Sequence, residues 1–143
     1  MLKNIPKIIS PDLLKVLCEM GHGDEIVIAD GNFPAAANAN ILIRADGISA
    51  CDMLDAILKL LPLDRYDSNN FVLMEKCDGD TVDTSIWSEY AQILKKYKLK
   101  AEISFEERFA YYERAKKAYA IIATGEVKQY ANIILKKGCI ISK

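Results

Sequence analysis

The chain has one histidine, His22, set between two glycines in Gly21-His22-Gly23-Asp24. An imidazole titrates near neutral pH, so it can give or take a proton as a general acid or base. The flanking glycines let the backbone turn tightly and leave the ring open. A lone histidine is more often structural than catalytic, and this glycine setting is what raises its standing. Asp30 is the second candidate. Before Gly31 it reads either as a turn former or as a carboxylate that orients His22 or accepts a ligand hydroxyl. A strand separates the two residues, and about seven extended residues span roughly 20 Å. A simple His–Asp pair within one chain is therefore disfavoured. The alternatives are separate roles or a site at a subunit contact.

Two further groups have suitable chemistry. Arg108 lies in Glu106-Glu107-Arg108-Phe109-Ala110-Tyr111-Tyr112-Glu113-Arg114. On a helix its common fate is a surface ion pair, but a guanidinium can also donate to two vicinal hydroxyls. The tyrosine pair reads as a core face or as a platform for sugar C–H groups. Tyr130-Ala131-Asn132 follows the turn at Gly125 and either closes a loop or offers a phenol and an amide to a polyol.

Other chemistries lack their motifs. Gly21-His22-Gly23 follows a helix and opens a strand, the reverse of what a dinucleotide fingerprint needs. The chain contains neither a P-loop nor a Gly-x-Ser-x-Gly elbow. One histidine excludes a histidine-rich metal site; an all-carboxylate site stays open, although the carboxylates have no recognisable metal-ligand spacing. Cys18, Cys51, Cys77 and Cys139 are far apart and form no Cys-x-x-Cys pair, which suits reduced thiols in the cytoplasm.

The elements that must position these residues alternate along the chain. Ser10-Pro11 opens a helix carrying Leu13, Val16, Leu17 and Met20, and Gly21 ends it. Glu25–Ala29 and Ile41–Arg44 read as strands. Ser49 caps a helix to about Leu61, ended by Pro62. Phe71–Met74 is a strand, Ser85 to Tyr97 a helix and Ala101–Ile103 a brief strand. Ser104-Phe105-Glu106-Glu107 matches a capping box before a helix to about Lys117. Tyr119–Thr124 and Ala131–Leu135 are the last strands. Their short link excludes a crossover helix, so the pair should be antiparallel. The result is an α/β fold, one domain over residues 1–143, with a mixed sheet of about six strands and four helices. The loop from Gly31 to Asn40 is the least regular stretch, and ligands favour loops at strand ends.

The chain has 143 residues, 51% hydrophobic and 27% charged, with a net charge of −1. The charge balance gives no reason to expect nucleic acid or an anionic membrane as a partner. No apolar run approaches the roughly 20 residues of a membrane span, and the N-terminus lacks a signal-peptide pattern.

Taken together, Gly21-His22-Gly23-Asp24-Glu25-Ile26 through Asp30, Asn32-Phe33-Pro34-Ala35, Ile43-Arg44-Ala45-Asp46-Gly47, Arg108-Phe109 through Tyr112-Glu113-Arg114-Ala115, Thr124-Gly125-Glu126 and Tyr130-Ala131-Asn132-Ile133 resemble the D-ribose pyranase / L-fucose mutarotase family. The resemblance covers nearly the whole chain and is closest to the fucose branch. Ala131 stands where fucose-type members commonly carry Gly. Phe33-Pro34, Arg108-Phe109 and the chain length favour the fucose branch. The resemblance implies a three-layer α/β/α domain and a homo-oligomer, often a decameric ring, with sites near subunit contacts. It implies His22 as the acid–base residue, with Asp30, Arg108, Tyr130, Ala131 and Asn132 at the sugar. The implied activity is interconversion of L-fucose anomers without a cofactor. Tyr130 is a candidate second proton carrier. D-ribose pyranase activity, a non-catalytic sugar-binding role and a scaffold subunit are the competing readings.

Overall fold

The computed structural model describes residues 1–99 and 101–142. In chain order these form α1 (Pro11–Glu19), β1 (Glu25–Ala29), α2 (Ala35–Asn38), β2 (Leu42–Ala45), α3 (Ala50–Leu58), β3 (Phe71–Met74), α4 (Ile86–Lys96), β4 (Ile103–Glu106), α5 (Arg108–Lys117), β5 (Ala120–Thr124) and β6 (Ile133–Lys136).

β3 and β5 are buried at every residue, and β1 at all but its first. Such continuous apolar runs belong to a sheet covered on both faces. Ile26, Ile28, Ile122, Leu73 and Leu135 pack with α1, α3 and α4 on one face. Val27, Ala29, Ile121, Val72 and Ile134 pack with Ala35 of α2 and with Tyr111 and Ala115 of α5 on the other. The alternation along each strand makes the three expected layers.

The strands lie in the order β2-β5-β1-β6-β3-β4. β5 runs parallel to β1 and β2, and β3 parallel to β4. β6 is antiparallel to both of its neighbours, β1 and β3. The mixed sheet matches the sequence reading. The expected pairing of the last two strands does not: they run in opposite directions, but β1 lies between them. Their link is long enough to step over one strand, at roughly 4.8 Å per strand spacing.

The caps follow the sequence with one correction. Ser10 Oγ accepts from the Leu13 N–H at 3.2 Å, and Ser49 Oγ accepts from the Asp52 N–H at 3.1 Å. The capping box at Ser104 does not form, because Ser104–Glu106 pair with Val72–Met74 as strand. Glu107 caps α5 instead, its carboxylate accepting from the Phe109 and Ala110 N–H groups at 3.0 and 3.1 Å. The loop after Asp30 contains the added short helix α2, built on Ala35-Ala36-Ala37, the best helix formers. Among the described residues no helix is long and apolar enough to cross a membrane, and all four cysteines are free.

Candidate active site

β6 runs against β1 and β3, so the residues just before it share one end of the sheet with those just after β1 and β3. Asp30 follows β1, Met74 ends β3 and Asn132 precedes β6. The first turn of α5 reaches the same end. A cavity of about 450 Å³ lies there, lined by Asp30, Asn32, Phe33, Met74, Cys77, Arg108, Tyr112, Gln129, Tyr130 and Asn132. This volume lies within the range of small-molecule sites.

Asp30 is only 6% exposed. Its backbone N–H donates to Asn132 Oδ1 at 2.7 Å, which ties the end of β1 to the start of β6. Burial pushes the Asp30 carboxyl above the usual range, opposed by backbone N–H donors from Asn32, Phe33 and Ala131. The Arg108 guanidinium lies 5.6 Å from the Tyr112 ring centre, within cation–π range. Phe33 packs on Tyr112 with ring centres 5.5 Å apart. Tyr112 therefore lines the cavity, whereas Tyr111 is fully buried beneath it in the core. The core-face reading of the tyrosine pair holds for Tyr111, while Tyr112 faces the cavity.

Tyr130 has φ of 55°, a left-handed conformation uncommon outside glycine. Helix α4 holds this segment: the Trp87 indole donates to the Tyr130 carbonyl and the Tyr90 hydroxyl to the Ala131 carbonyl, both at 2.7 Å. The Ala131 side chain is fully buried and does not line the cavity. Its N–H to Asp30 is its link with the site.

His22 is elsewhere. It sits at the opposite end of β1, in a turn with Gly23 at φ 88°. Its Nε2 lies 3.1 Å from Asp64 Oδ1, and its ring centre 5.8 Å from that of Tyr66. The continuation of β6 gathers this pair. Lys136 O accepts from the Asp64 N–H, and Lys137 O from the Gly23 N–H, at 3.0 and 2.8 Å. The His22 side chain is 46% exposed while Asp64 is 6% exposed. Backbone donation from Tyr66 first, and His22 after it, hold the Asp64 carboxyl below its usual range. This is an exposed imidazole fixed by a buried carboxylate, a geometry suited to proton transfer.

Residues 3–140 match the RbsD / FucU transport protein family. The chain belongs to this family. It is 47% identical to the fucose mutarotase of Mus musculus over 97% of this chain and 95% of that protein. Among solved structures, FucU from Bifidobacterium longum is similar at 54% identity and a TM-score of 0.93, covering 97% of this chain and all of that one. The fucose mutarotase of Streptococcus pneumoniae, solved in complex with L-fucose, is similar at 52% identity and a TM-score of 0.92, over 98% of this chain and all of that one.

Within the family segments quoted from the sequence, Asp30, Arg108, Tyr130 and Asn132 converge on one cavity and His22 does not. The structure adds Asp64 beside His22, and Met74, Cys77 and Gln129 to the cavity wall. Asp64 had a weak signal in the sequence, an Asp just after a Pro-terminated helix. The cavity-wall residues had none, because only strand order places them.

Proposed function

We propose that this chain is an L-fucose mutarotase, an isomerase that interconverts the α and β anomers of L-fucose by acid–base ring opening and closure. One observation carries the reading: a polar cavity at the strand ends, in a chain similar along nearly its whole length to a fucose mutarotase solved with L-fucose.

In the proposed reaction a base takes the proton of the anomeric hydroxyl while an acid protonates the ring oxygen. The C1–O bond to the ring opens, the aldehyde rotates about C1–C2, and closure gives the other anomer. His22 carries the proton transfer and Asp64 holds its ring. Asp30, Arg108, Tyr130 and Asn132 hold sugar hydroxyls, and Ala131 supports Asp30 through its backbone. Such acid–base groups contribute about 10²–10⁴-fold.

His22 and the cavity lie at opposite ends of β1, roughly 20 Å apart by strand geometry. This separation supports a homo-oligomer, a decameric ring in our reading, in which His22 of one copy meets the cavity of another. The chain acts as one domain over residues 1–143. Four unpaired thiols support a reducing compartment, the cytoplasm.

Saturation-transfer NMR of anomer exchange on L-fucose and D-ribose tests the reading. Faster exchange on L-fucose is the expected result. Pyranose–furanose exchange confined to D-ribose would make the chain a pyranase, and sugar binding without added exchange would make it a binding protein.

A further inference from the structure

A tyrosine hydroxyl has one proton to give and two lone pairs to receive with. The Tyr130 hydroxyl donates to Asp80 Oδ2 at 2.6 Å. It also accepts from the Cys77 N–H at 3.3 Å. One lone pair is left. Tyr130 and Cys77 both line the cavity.

Asp80 is itself fixed. Its Oδ1 accepts from the Val82 N–H at 3.0 Å, and its own N–H donates to the Cys77 carbonyl at 3.1 Å. Lys76 Nζ donates to the Val82 carbonyl at 3.0 Å, closing the loop on itself. An ionised carboxylate has no proton to return, so the donor in this pair is the phenol.

We propose that Asp80 is a positioning residue that sets the polarity of Tyr130: it holds the phenol proton, so that Tyr130 meets the sugar as an acceptor for one of its hydroxyls. The inference rests on the mutarotase reading above and deepens it. The titrations agree with the geometry. The hydrogen bond to Asp80 pushes the Tyr130 hydroxyl up to about 12, and the same bond holds the Asp80 carboxyl below its usual range. A phenol so committed is a poor proton carrier near neutral pH. Tyr130 therefore binds a hydroxyl, and proton transfer belongs to His22.

A double-mutant cycle on the full-length chain tests this, with Asp80→Ala, Tyr130→Phe and the pair assayed by NMR anomer exchange on L-fucose. Each single change is expected to lower kcat/KM by up to about tenfold, the loss of one neutral hydrogen bond to the sugar, through KM rather than kcat. In the Tyr130→Phe background, Asp80→Ala is expected to have no further effect. Asp80→Glu, which restores an acceptor, should recover part of the loss. The proposal is overturned if Asp80→Ala costs as much in the Tyr130→Phe background as in the wild type, since Asp80 then acts only on its own loop. It is also overturned if kcat falls while KM holds, which would make Tyr130 a proton carrier. A wild type without exchange on L-fucose would instead overturn the mutarotase reading, so the two failures are distinct.

Discussion

His22 Nε2 and Asp64 Oδ1 lie 3.1 Å apart at the end of the sheet away from Asp30. β6 explains both ends of this arrangement. Asn132 before it binds the backbone of Asp30, and Lys136 and Lys137 at its far end hold the segments that carry Asp64 and His22. One strand thus fixes two polar clusters at its opposite ends.

Replacing His22 with Ala or Asn should reduce anomer exchange on L-fucose by about 10²–10⁴-fold. The ring is about half exposed, so thermal stability should change little. Full activity in either variant would remove His22 from the mechanism.

Asp64→Asn should lower kcat about tenfold by weakening a charge-assisted hydrogen bond to the His22 ring. The Asp64 carboxyl is held below its usual range in the folded chain. Its contribution to stability is therefore present above the unfolded value of about 3.9 and lost as pH falls through the depressed folded value. Urea titrations across that range should show a smaller acid-side loss for the variant than for the wild type.

If His22 of one copy meets the cavity of another, mixing His22→Ala subunits with Asp30→Asn subunits should raise activity above that of either variant alone. An intact pair forms wherever an Asp30→Asn subunit supplies His22 to the cavity of a His22→Ala subunit. Light scattering of the wild type should give a mass above that of one chain, and a monomer with full activity would rule the arrangement out.

Asp30 has the opposite titration from Asp64. Burial raises its folded value, so ionised Asp30 reduces stability near neutral pH, and that penalty fades as pH falls through the raised folded value and is gone below the unfolded value of about 3.9. Asp30→Asn should hold or raise the melting temperature at pH 7 while weakening sugar binding. A clear loss of melting temperature would show that the carboxylate supports the fold.

Arg114 tests the sheet rather than the site. Its guanidinium bonds Glu106 at the end of β4 at 2.9 Å and grips Glu25 at the start of β1 at 2.5 Å. Arg114→Met leaves two partly buried carboxylates unpaired and should cost about 2 kcal/mol, read as a lower urea midpoint. Gly125 tests the backbone. A Cβ there would come within 2.1 Å of the Asp46 carbonyl oxygen, so Gly125→Ala should destabilise by about 1–3 kcal/mol.

Local rules made much of this structure readable in advance. The serine caps at Ser10 and Ser49 and the buried runs of β1, β3 and β5 depend on neighbours within a few residues, and each formed as its pattern required. The errors share a cause. Ser104 and Glu107 satisfy a capping box locally, but pairing with β3 drew Ser104 into a strand. The last two strands looked like a pair until β1 came between them. Long-range strand pairing overrode a local signal in both cases.

The candidate site divides the same way. Sequence alone determined which side chains could do the chemistry: one imidazole in a glycine turn, a carboxylate at a strand end, and an arginine, tyrosine and asparagine in segments a hundred residues away. It also determined that His22 and Asp30 stand at opposite ends of one strand, because a strand's length follows from its residue count. Only the tertiary structure decided which groups meet. The reversed direction of β6 brings Asn132 to Asp30, the loop after α3 brings Asp64 to His22, and the loop after β3 brings Asp80 to Tyr130. Those contacts depend on strand order and direction, which are set by the packing of the whole sheet rather than by the residues they join.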